Sequence, residues 1–502
     1  MHNGTLSIDP AFTVAPVNRR VFGSFVEHMG RCVYGGIYEP GHPTADDSGF
    51  RGDVLALVRE LGVTAVRYPG GNFVSGYRWE DGVGPVGDRP TRLDPAWRTV
   101  ETNAFGLNEF MEWSRKAEVE PIMAMNLGTR GLQEAVDLLE YANHPEGTAL
   151  SDARVEHGVK EPHGIRMWCL GNEMDGPWQL GHKTATEYGR LAAETARAMR
   201  QFDPGLELVA CGSSGRSMPT FGSWEATVLE HTYDVVDLVS AHAYYQLDGE
   251  DVASFLASSV DMDLFIREVI ATADHVGAKL SSAKRINIAF DEWNVWYLRE
   301  MQAGGLPDDW TEAPRLSEDA YTALDAVVVG SLLITLLKHA DRVTVACQAQ
   351  LVNTISAIRC EPDGPAWRQS IFHPFALTAR HAQGEVLDLR LDVPTLSTSK
   401  HGDVPVLDSV ATWDAATGRL AVFVVNRDPA EEVAVSAQLR GFGEVGLVEA
   451  TLVGDDDLFA VNTVDEPDRV VPTAHPAAAM DGTILRATLP PASWSMFLLQ
   501  AP

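Results

Sequence analysis

Cysteine is scarce in this 502-residue chain. There are five, Cys32, Cys169, Cys211, Cys347 and Cys360, an odd number with no C-x-x-C pair. That argues against a disulfide framework and against a thiolate metal site. Three of them lie inside apolar runs and read as small buried hydrophobes. Long hydrophobic runs are missing too. A membrane-spanning helix needs about 18 or more apolar residues, and the best candidate, 326–337, is too short and is closed by Lys338, His339 and Asp341. The opening MHNGTLSIDPAF has no basic start followed by an apolar core, so no secretory leader is expected. With so few cysteines, the cytoplasm is the expected compartment. Basic residues are in deficit, 39 Lys and Arg against 70 Asp and Glu, for a net charge of −31. Nucleic-acid binding needs a basic footprint, and anionic membranes attract basic segments; neither fits. A neutral substrate is the natural expectation. No H-E-x-x-H arrangement occurs, and no metal or cofactor is expected.

Three motif matches carry little. The glycines at 82, 84 and 87 satisfy G-x-G-x-x-G, but Pro85 interrupts them and no helix follows to hold a pyrophosphate. The sequon at Asn3 is idle without a secretory route. Arg51-Gly52-Asp53 reads as a helix start.

What the chain does have is alternation. Apolar runs at 21–28, 63–72, 121–128, 167–174, 206–214, 235–245, 286–296 and 342–353 read as strands. Between and after them, segments at 53–62, 106–119, 131–144, 183–202, 224–232, 252–276, 319–339 and 367–382 carry helical spacing or can supply a helix. Eight strands alternating with eight helical segments predict a closed (β/α)8 barrel, with a doubly wound open sheet as the alternative. Beyond residue 384 long helices vanish and short β-rich runs take over, which predicts an all-β sandwich. The expected units are a strand at 1–16 joining the sandwich, a barrel at 17–383 and the sandwich at 384–502.

Polar residues close nearly every barrel strand: Glu27-His28, Arg67 with Asn72, Asn126, Asn172-Glu173, Ser213-Ser214, His242 with Tyr244, Glu292 and Gln350. Barrel enzymes place their chemistry at these ends. Most glutamates are solvated surface residues of no consequence. Glu173 and Glu292 stand apart because each directly follows a buried strand, in MWCLGNEM and INIAFDEWNVW. Two such carboxylates suggest an acid/base and nucleophile pair. Glu27, Asn72, Asn172, His242, Tyr244 and Gln350 would line the same mouth with groups that bond sugar hydroxyls. For His242 a satisfied structural histidine is nearly as good a reading. Trp97, Trp178, Trp296 and Trp310 are candidates for stacking on sugar faces; core packing is the plainer reading of each. Trp178 and Trp296, close to the two glutamates, are the better rim candidates.

The stretches FGSFVEH, VRYPGGNFVSGYRWEDGVGP, WCLGNEMDGPWQLGHKTA, CGSSGRSMPTF, FDEWNVWY and AQLVN together closely resemble the intracellular α-L-arabinofuranosidases of glycoside hydrolase family 51. The resemblance runs along nearly the whole chain. It implies a (β/α)8 barrel whose β-sandwich is built from the C-terminal region and the first strand. It implies Glu173 as acid/base, Glu292 as nucleophile, and sugar binding by Glu27, Asn72, Asn172, Tyr244 and Gln350. A metal-free retaining mechanism and a homo-hexamer are further expectations, with arabinofuranosyl oligosaccharides as substrate. Two carboxyls about 5 Å apart would give retention, and a neighbouring carboxylate with partial desolvation would help Glu173 keep its proton. The same pair also serves β-xylosidases and endo-β-glucanases, and a catalytically dead sugar-binding barrel is the reading from another class.

Overall fold

Eight short apolar runs, each flanked by turn residues, bury both faces by pairing in parallel around a closed ring. The computed structural model describes residues 1–501. The ring strands are β1 (Gly23–Phe25), β2 (Ala65–Tyr68), β3 (Glu120–Ala124), β4 (Met167–Leu170), β5 (Glu207–Ala210), β6 (Leu238–Tyr245), β7 (Asn287–Val295) and β8 (Val343–Ala349). They are bonded in chain order, and β8 returns to β1. The sheet is therefore a closed barrel, and the open doubly wound alternative falls away. The helices between strands are α1 (Gly52–Leu61), α2 (Leu107–Ala117), α3 (Leu132–Asn143), α4 (Ala185–Phe202), α5 (Ser223–Thr232), α6 (Ser258–Lys279) and α7 (Ala323–Lys338), and α8 (Phe372–His381) follows the last strand. Short helices Ala149–Glu156 and Leu298–Gly304 lie outside the eight expected helical segments.

The strands are shorter than the apolar runs suggest. The run at 21–28 yields only three strand residues, because Asn18 caps a 3-10 turn at Arg19–Phe22 by accepting from the Arg20 amide. Arg51 precedes α1, with its side chain paired to Glu39 and Asp53. No helix begins at the 82–87 glycines, where Gly82 closes one 3-10 turn and Val86 opens another.

Small and medium residues fill the barrel axis: Phe25, Ala65, Ile122, Ala124, Met167, Cys169, Val209, Ala289, Val345 and Cys347 among them. Alternation along a strand sends the intervening residues outward against the helices, as with Val66, Trp168 and Phe290. All five cysteines are free and buried. Burial pushes the Cys32 and Cys211 thiols up to about 12, as inert packing groups should be.

The N-terminal strand His2–Ile8 pairs with Arg390–Asp392 and Val433–Leu439 in a five-stranded sheet. Thr13–Pro16 pairs with Glu385–Leu387 in a seven-stranded sheet. The two sheets share one core that includes Leu6, Ile8, Val433, Leu485, Leu420, Val422 and Phe497. The opposite face of the seven-stranded sheet, with Ala421, Phe423, Trp494 and Met496, joins the barrel's outer core instead. That second burial explains the unbroken run LAVFVV. It also explains α7, which is apolar on all sides (ALDAVVVGSLLITLL) because barrel and sandwich cover opposite faces of it. No helix among the described residues is long and apolar enough to cross a membrane.

Asp408 of the sandwich accepts from Ser331 at 3.2 Å, from Ser259 at 3.2 Å and from Arg427 at 2.5 Å, and pairs with Lys338. Burial would raise its carboxyl, but Arg427 and Lys338 outweigh burial and hold it at about 2. Beside it, Gly330 of α7 meets the Trp494 indole: a Cβ there would lie 2.2 Å from Cδ1. Alanine normally gains about 1 kcal/mol over glycine inside a helix. Here the indole is wholly buried and cannot retreat, so overpacking should prevail, at about 1–3 kcal/mol. We expect Gly330→Ala to lower Tm; a rise in Tm would show that the barrel–sandwich contact yields.

Candidate active site

Arg67 reaches the barrel mouth because alternation along β2 turns it to the same side as Ala65, into the axis. It is wholly buried. It donates to Glu292 Oε1 at 2.8 Å and to Asn172 Oδ1 at 2.7 Å, and its Nε lies 3.1 Å from Asp291 Oδ2. Burial works against its charge, but Asp291 and Glu292 more than compensate, so it stays a guanidinium.

Asp291 and Glu292 are neighbours on β7, and a regular strand would point them to opposite faces. The pairing of β7 slips at this point against both β6 and β8. Such a bulge re-aims side chains, and both carboxylates end buried in the mouth. His242, opposite Glu292 on β6, joins three acids. Its Nδ1 is 2.9 Å from Glu173 Oε1 and 3.6 Å from Glu292 Oε2, and its Nε2 is 3.2 Å from Asp291 Oδ1. Burial alone would lower its pKa, but Glu292, Asp291 and Glu173 raise it well above the usual value. The imidazolium then donates from both nitrogens. Burial raises Asp291 as well, but Arg67 and His242 bring it below the ordinary carboxylate value. Glu292 goes the other way. Burial and the charge of Glu173 raise it, against the pull of His242, Arg67 and the Tyr244 hydroxyl, which donates to Oε2 at 2.8 Å.

Glu173 follows β4 through a tight turn. Gly171 has φ 94° and Glu173 itself φ 43°, in the left-handed region that costs a non-glycine residue. Its second oxygen accepts from Trp178 Nε1 at 2.7 Å. The atoms that Glu173, His242 and Glu292 present all lie within 4.8 Å of one another. Three such groups are enough ligands for a metal ion. The donor set fits one poorly, since a cation would have to sit beside the Arg67 guanidinium and displace the imidazolium proton.

Glu27 lies across the mouth. It accepts from the Phe73 amide at 2.9 Å, Trp97 Nε1 at 2.8 Å and Gln350 Nε2 at 3.2 Å, and its own amide donates to Gln350 Oε1 at 3.3 Å. Burial raises its pKa to about 8, with the Phe73 amide opposing and the charge of Glu292 adding. At neutral pH it is a protonated acid that can donate a hydrogen bond. Asn72 lines the same cavity, with Oδ1 accepting from Gln179 Nε2 at 2.6 Å.

Glu27, Asn72, Glu173, His242, Tyr244, Glu292, Gln350, Trp97, Trp178 and Trp296 thus share one cavity wall. Asn172 sits just beneath it, and its Nδ2 is buried without a partner. The tryptophans divide. Trp97 is buried and serves as a donor to Glu27 rather than as an open platform. Trp178 keeps an indole that is 50% exposed, and Trp296 packs edge-on to Tyr244 at 5.0 Å. Trp310 is a correction: it lies outside the cavity, under the Arg98 guanidinium, because the loop that carries it runs over the surface. His28 and Asn126 also fall outside. His28 bonds Glu101 and Tyr68 behind the mouth, and Asn126 caps its own turn by accepting from the Gly128 and Thr129 amides. Arg67 and Asp291 were visible at strand ends but carried no assigned role. The in–out pattern of β2 could have revealed Arg67; nothing in the sequence announces the bulge that turns Asp291 and Glu292 together.

The family model described as Alpha-L-arabinofuranosidase 1 domain matches residues 57–253, and the one described as Alpha-L-arabinofuranosidase C-terminal domain matches residues 291–493. An intracellular exo-α-(1→5)-L-arabinofuranosidase of Streptomyces lividans is 61% identical over 99% of this chain and 75% of its own length. The chain belongs to the α-L-arabinofuranosidases of glycoside hydrolase family 51. It is a glycoside hydrolase on that footing. An exo-α-(1→6)-L-arabinofuranosidase of Bifidobacterium longum is 56% identical over 99% of this chain and 97% of its own. A solved family 51 α-L-arabinofuranosidase from Bifidobacterium longum superposes with a TM-score of 0.95, at 49% identity and 99% coverage of both chains.

The raised pKa of Glu27 has a testable sign. Between about 4.5 and about 8 the folded chain keeps a proton that the unfolded chain has lost, so this group's contribution to stability declines as pH rises through that window. Glu27→Gln cannot titrate. The Tm of the variant minus that of the parent should therefore increase from pH 5 to pH 8, whatever its offset. A difference independent of pH would mean that Glu27 is ionised throughout.

Proposed function

We propose that the chain releases terminal α-L-arabinofuranosyl residues from oligosaccharides by double displacement with retention of configuration. The observation that carries this is the spacing of Glu173 and Glu292, whose closest oxygens lie within 4.8 Å. Retaining glycosidases hold their carboxyls about 5–5.5 Å apart, whereas inverting ones leave room for a water.

Glu292 attacks the anomeric carbon as the bond to the leaving oxygen breaks, and Glu173 gives its proton to that oxygen. A covalent arabinosyl–enzyme results. Water then attacks the anomeric carbon, Glu173 takes its proton, and Glu292 is released. Arg67 and Tyr244 hold the Glu292 oxygens so that the attacking lone pair faces the cavity. The buried Asn172 Nδ2 is a donor in need of an acceptor, and the sugar 2-hydroxyl supplies one. Such a contact strengthens as positive charge develops at the ring. Protonated Glu27, with Asn72, Tyr244 and Gln350, serves the remaining hydroxyls, and Trp296 bounds the sugar face.

The relatives named above differ in linkage, 1→5 against 1→6, and linkage is set outside the arabinosyl pocket. A cytoplasmic location, argued from the scarce cysteines and the relatives' naming, suits imported oligosaccharides. We further propose that residues 1–16 and 384–502 form one β-sandwich unit on a barrel of residues 17–383. A homo-hexamer is the expected assembly, drawn from the family resemblance alone and open to a mass measurement in solution.

Glu292→Ala should abolish turnover, and added azide should yield a glycosyl azide of inverted configuration. A Glu292→Ala enzyme of undiminished activity would remove it as nucleophile. Glu173→Ala should lose about 10²–10⁴-fold on alkyl or sugar leaving groups and far less on activated aryl ones, which leave unprotonated. Equal losses on both would count against the acid role.

A further inference from the structure

The cavity over the carboxylates is about 1370 Å³, more than the roughly 300–1,000 Å³ typical of pockets for drug-sized ligands. One arabinosyl residue fills only its polar inner end. The outer part has a different chemistry. Met218, Phe221 and Leu298 line it half-buried, Leu306 lines it exposed, and Met301 borders it from the cluster of Trp97 and Trp296. Phe221 is fixed edge-on against Phe265, with centroids 5.1 Å apart, so it offers a settled ring.

The charged groups in this outer part are spent on one another. Arg216 grips Glu268 through bonds of 2.7 and 2.9 Å and Asp261 through one of 2.9 Å. Tyr245 donates to Asp261 at 3.3 Å, Thr272 to the Glu268 carbonyl oxygen at 3.0 Å, and Ser214 to Asp175 at 3.2 Å. A sugar at this position would bring several hydroxyls out of water, and each is costly unless bonded. Only the exposed Ser217 and Gln302 side chains stand free there to bond hydroxyls, while an apolar body gains from the methionines, leucines and the Phe221 ring.

We propose that the outer lobe is an aglycone subsite for apolar alcohols, so that the enzyme cleaves α-L-arabinofuranosides of bulky aliphatic or fused-ring alcohols in addition to arabinose-containing oligosaccharides. The proposal rests on the arabinofuranosidase reading above and extends it from the sugar that is cleaved to the group that leaves. Arabinosyl sits over Glu292, and the leaving oxygen sits by Glu173. The Trp178 indole, half-exposed although its Nε1 is bonded to Glu173, forms the wall between the two parts.

The test compares three substrates whose leaving groups are unactivated alcohols: ethyl α-L-arabinofuranoside, 2-cyclohexylethyl α-L-arabinofuranoside and α-(1→5)-arabinobiose. The two alkyl alcohols are alike in acidity, so their ratio of kcat/KM reports on binding of the leaving group and not on its departure. We expect the cyclohexylethyl glycoside to exceed the ethyl glycoside at least tenfold and to match or exceed arabinobiose. Phe221→Ala and, separately, Met301→Gln should shrink the cyclohexylethyl-to-ethyl ratio about tenfold and fivefold. A ratio is insensitive to loss of folded enzyme. A wild-type ratio near one, or a ratio unchanged in both variants, would overturn the proposal while leaving arabinofuranosidase activity intact. Turnover of none of the three would remove the arabinofuranosidase reading itself.

Discussion

The buried Arg67 guanidinium is the interaction on which the site depends. It touches Glu292, Asn172 and Asp291 at once. Without it, Asp291, Glu292 and Glu173 would crowd one mouth with only His242 to balance them. Two like charges 4 Å apart repel by about 4 kcal/mol at an effective dielectric of 20, a large fraction of the 5–15 kcal/mol by which a domain is typically stable. The planar fork matters as much as the charge, because it orients two carboxylates and an amide together. A lysine would supply the charge but not the three directions.

Room for that fork comes from the barrel's interior. The axis below the mouth is packed with Ala65, Ala124, Ala289, Cys169 and Cys347, side chains small enough to leave space above them. Phe25 then faces the guanidinium, 5.0 Å from ring centroid to Cζ, and closes it from below. The outer support is of another kind. Helix α7 follows β7, which carries both Asp291 and Glu292, and it is clamped between barrel and sandwich by Gly330 against Trp494 and by Asp408 against Lys338. The sandwich thus buttresses the element next to the strand that carries Glu292, although none of its described residues lines the cavity.

The architecture was legible because its signals are local. Apolar runs of strand length, helical spacing between them and the change of texture near residue 384 are each read over a window of ten or so residues. Glu173 and Glu292 were legible for the same reason, since each ends a buried run. The cluster around them was less so. His242 is bonded as a satisfied structural histidine would be, yet its partners are three acids, from the turn after β4 and from β7. Trp97, a stacking candidate whose plainer reading is core packing, is buried and donates to Glu27. Asp291 stands at a strand end in the sequence, but the bulge that turns it into the mouth beside Glu292 is a backbone event with no side-chain signature. Partnerships between strands depend on register, and register is not written in any one segment.

Charge gives a last constraint on what the site accepts. The chain carries −31 overall, yet the mouth is close to neutral. Arg67 and His242, both held as cations, face Asp291, held below the ordinary carboxylate value; Glu27 keeps its proton at neutral pH, and the proposed roles leave Glu292 ionised and put a second proton on Glu173. Most of the excess negative charge therefore resides elsewhere, on carboxylates screened by salt within about 10 Å at 0.1 M, with Asp175 beside Glu173 and Asp261 and Glu268 on the cavity wall the nearer ones. A neutral furanoside meets no field that repels or steers it. On the proposed mechanism, an oxocarbenium-like transition state meets one new interaction, an ionised Glu292 held at fixed range. The balance of the cluster makes that single carboxylate count: attraction to the developing cation is confined to the atom that must form the bond, and substrate in its ground state gains nothing from it.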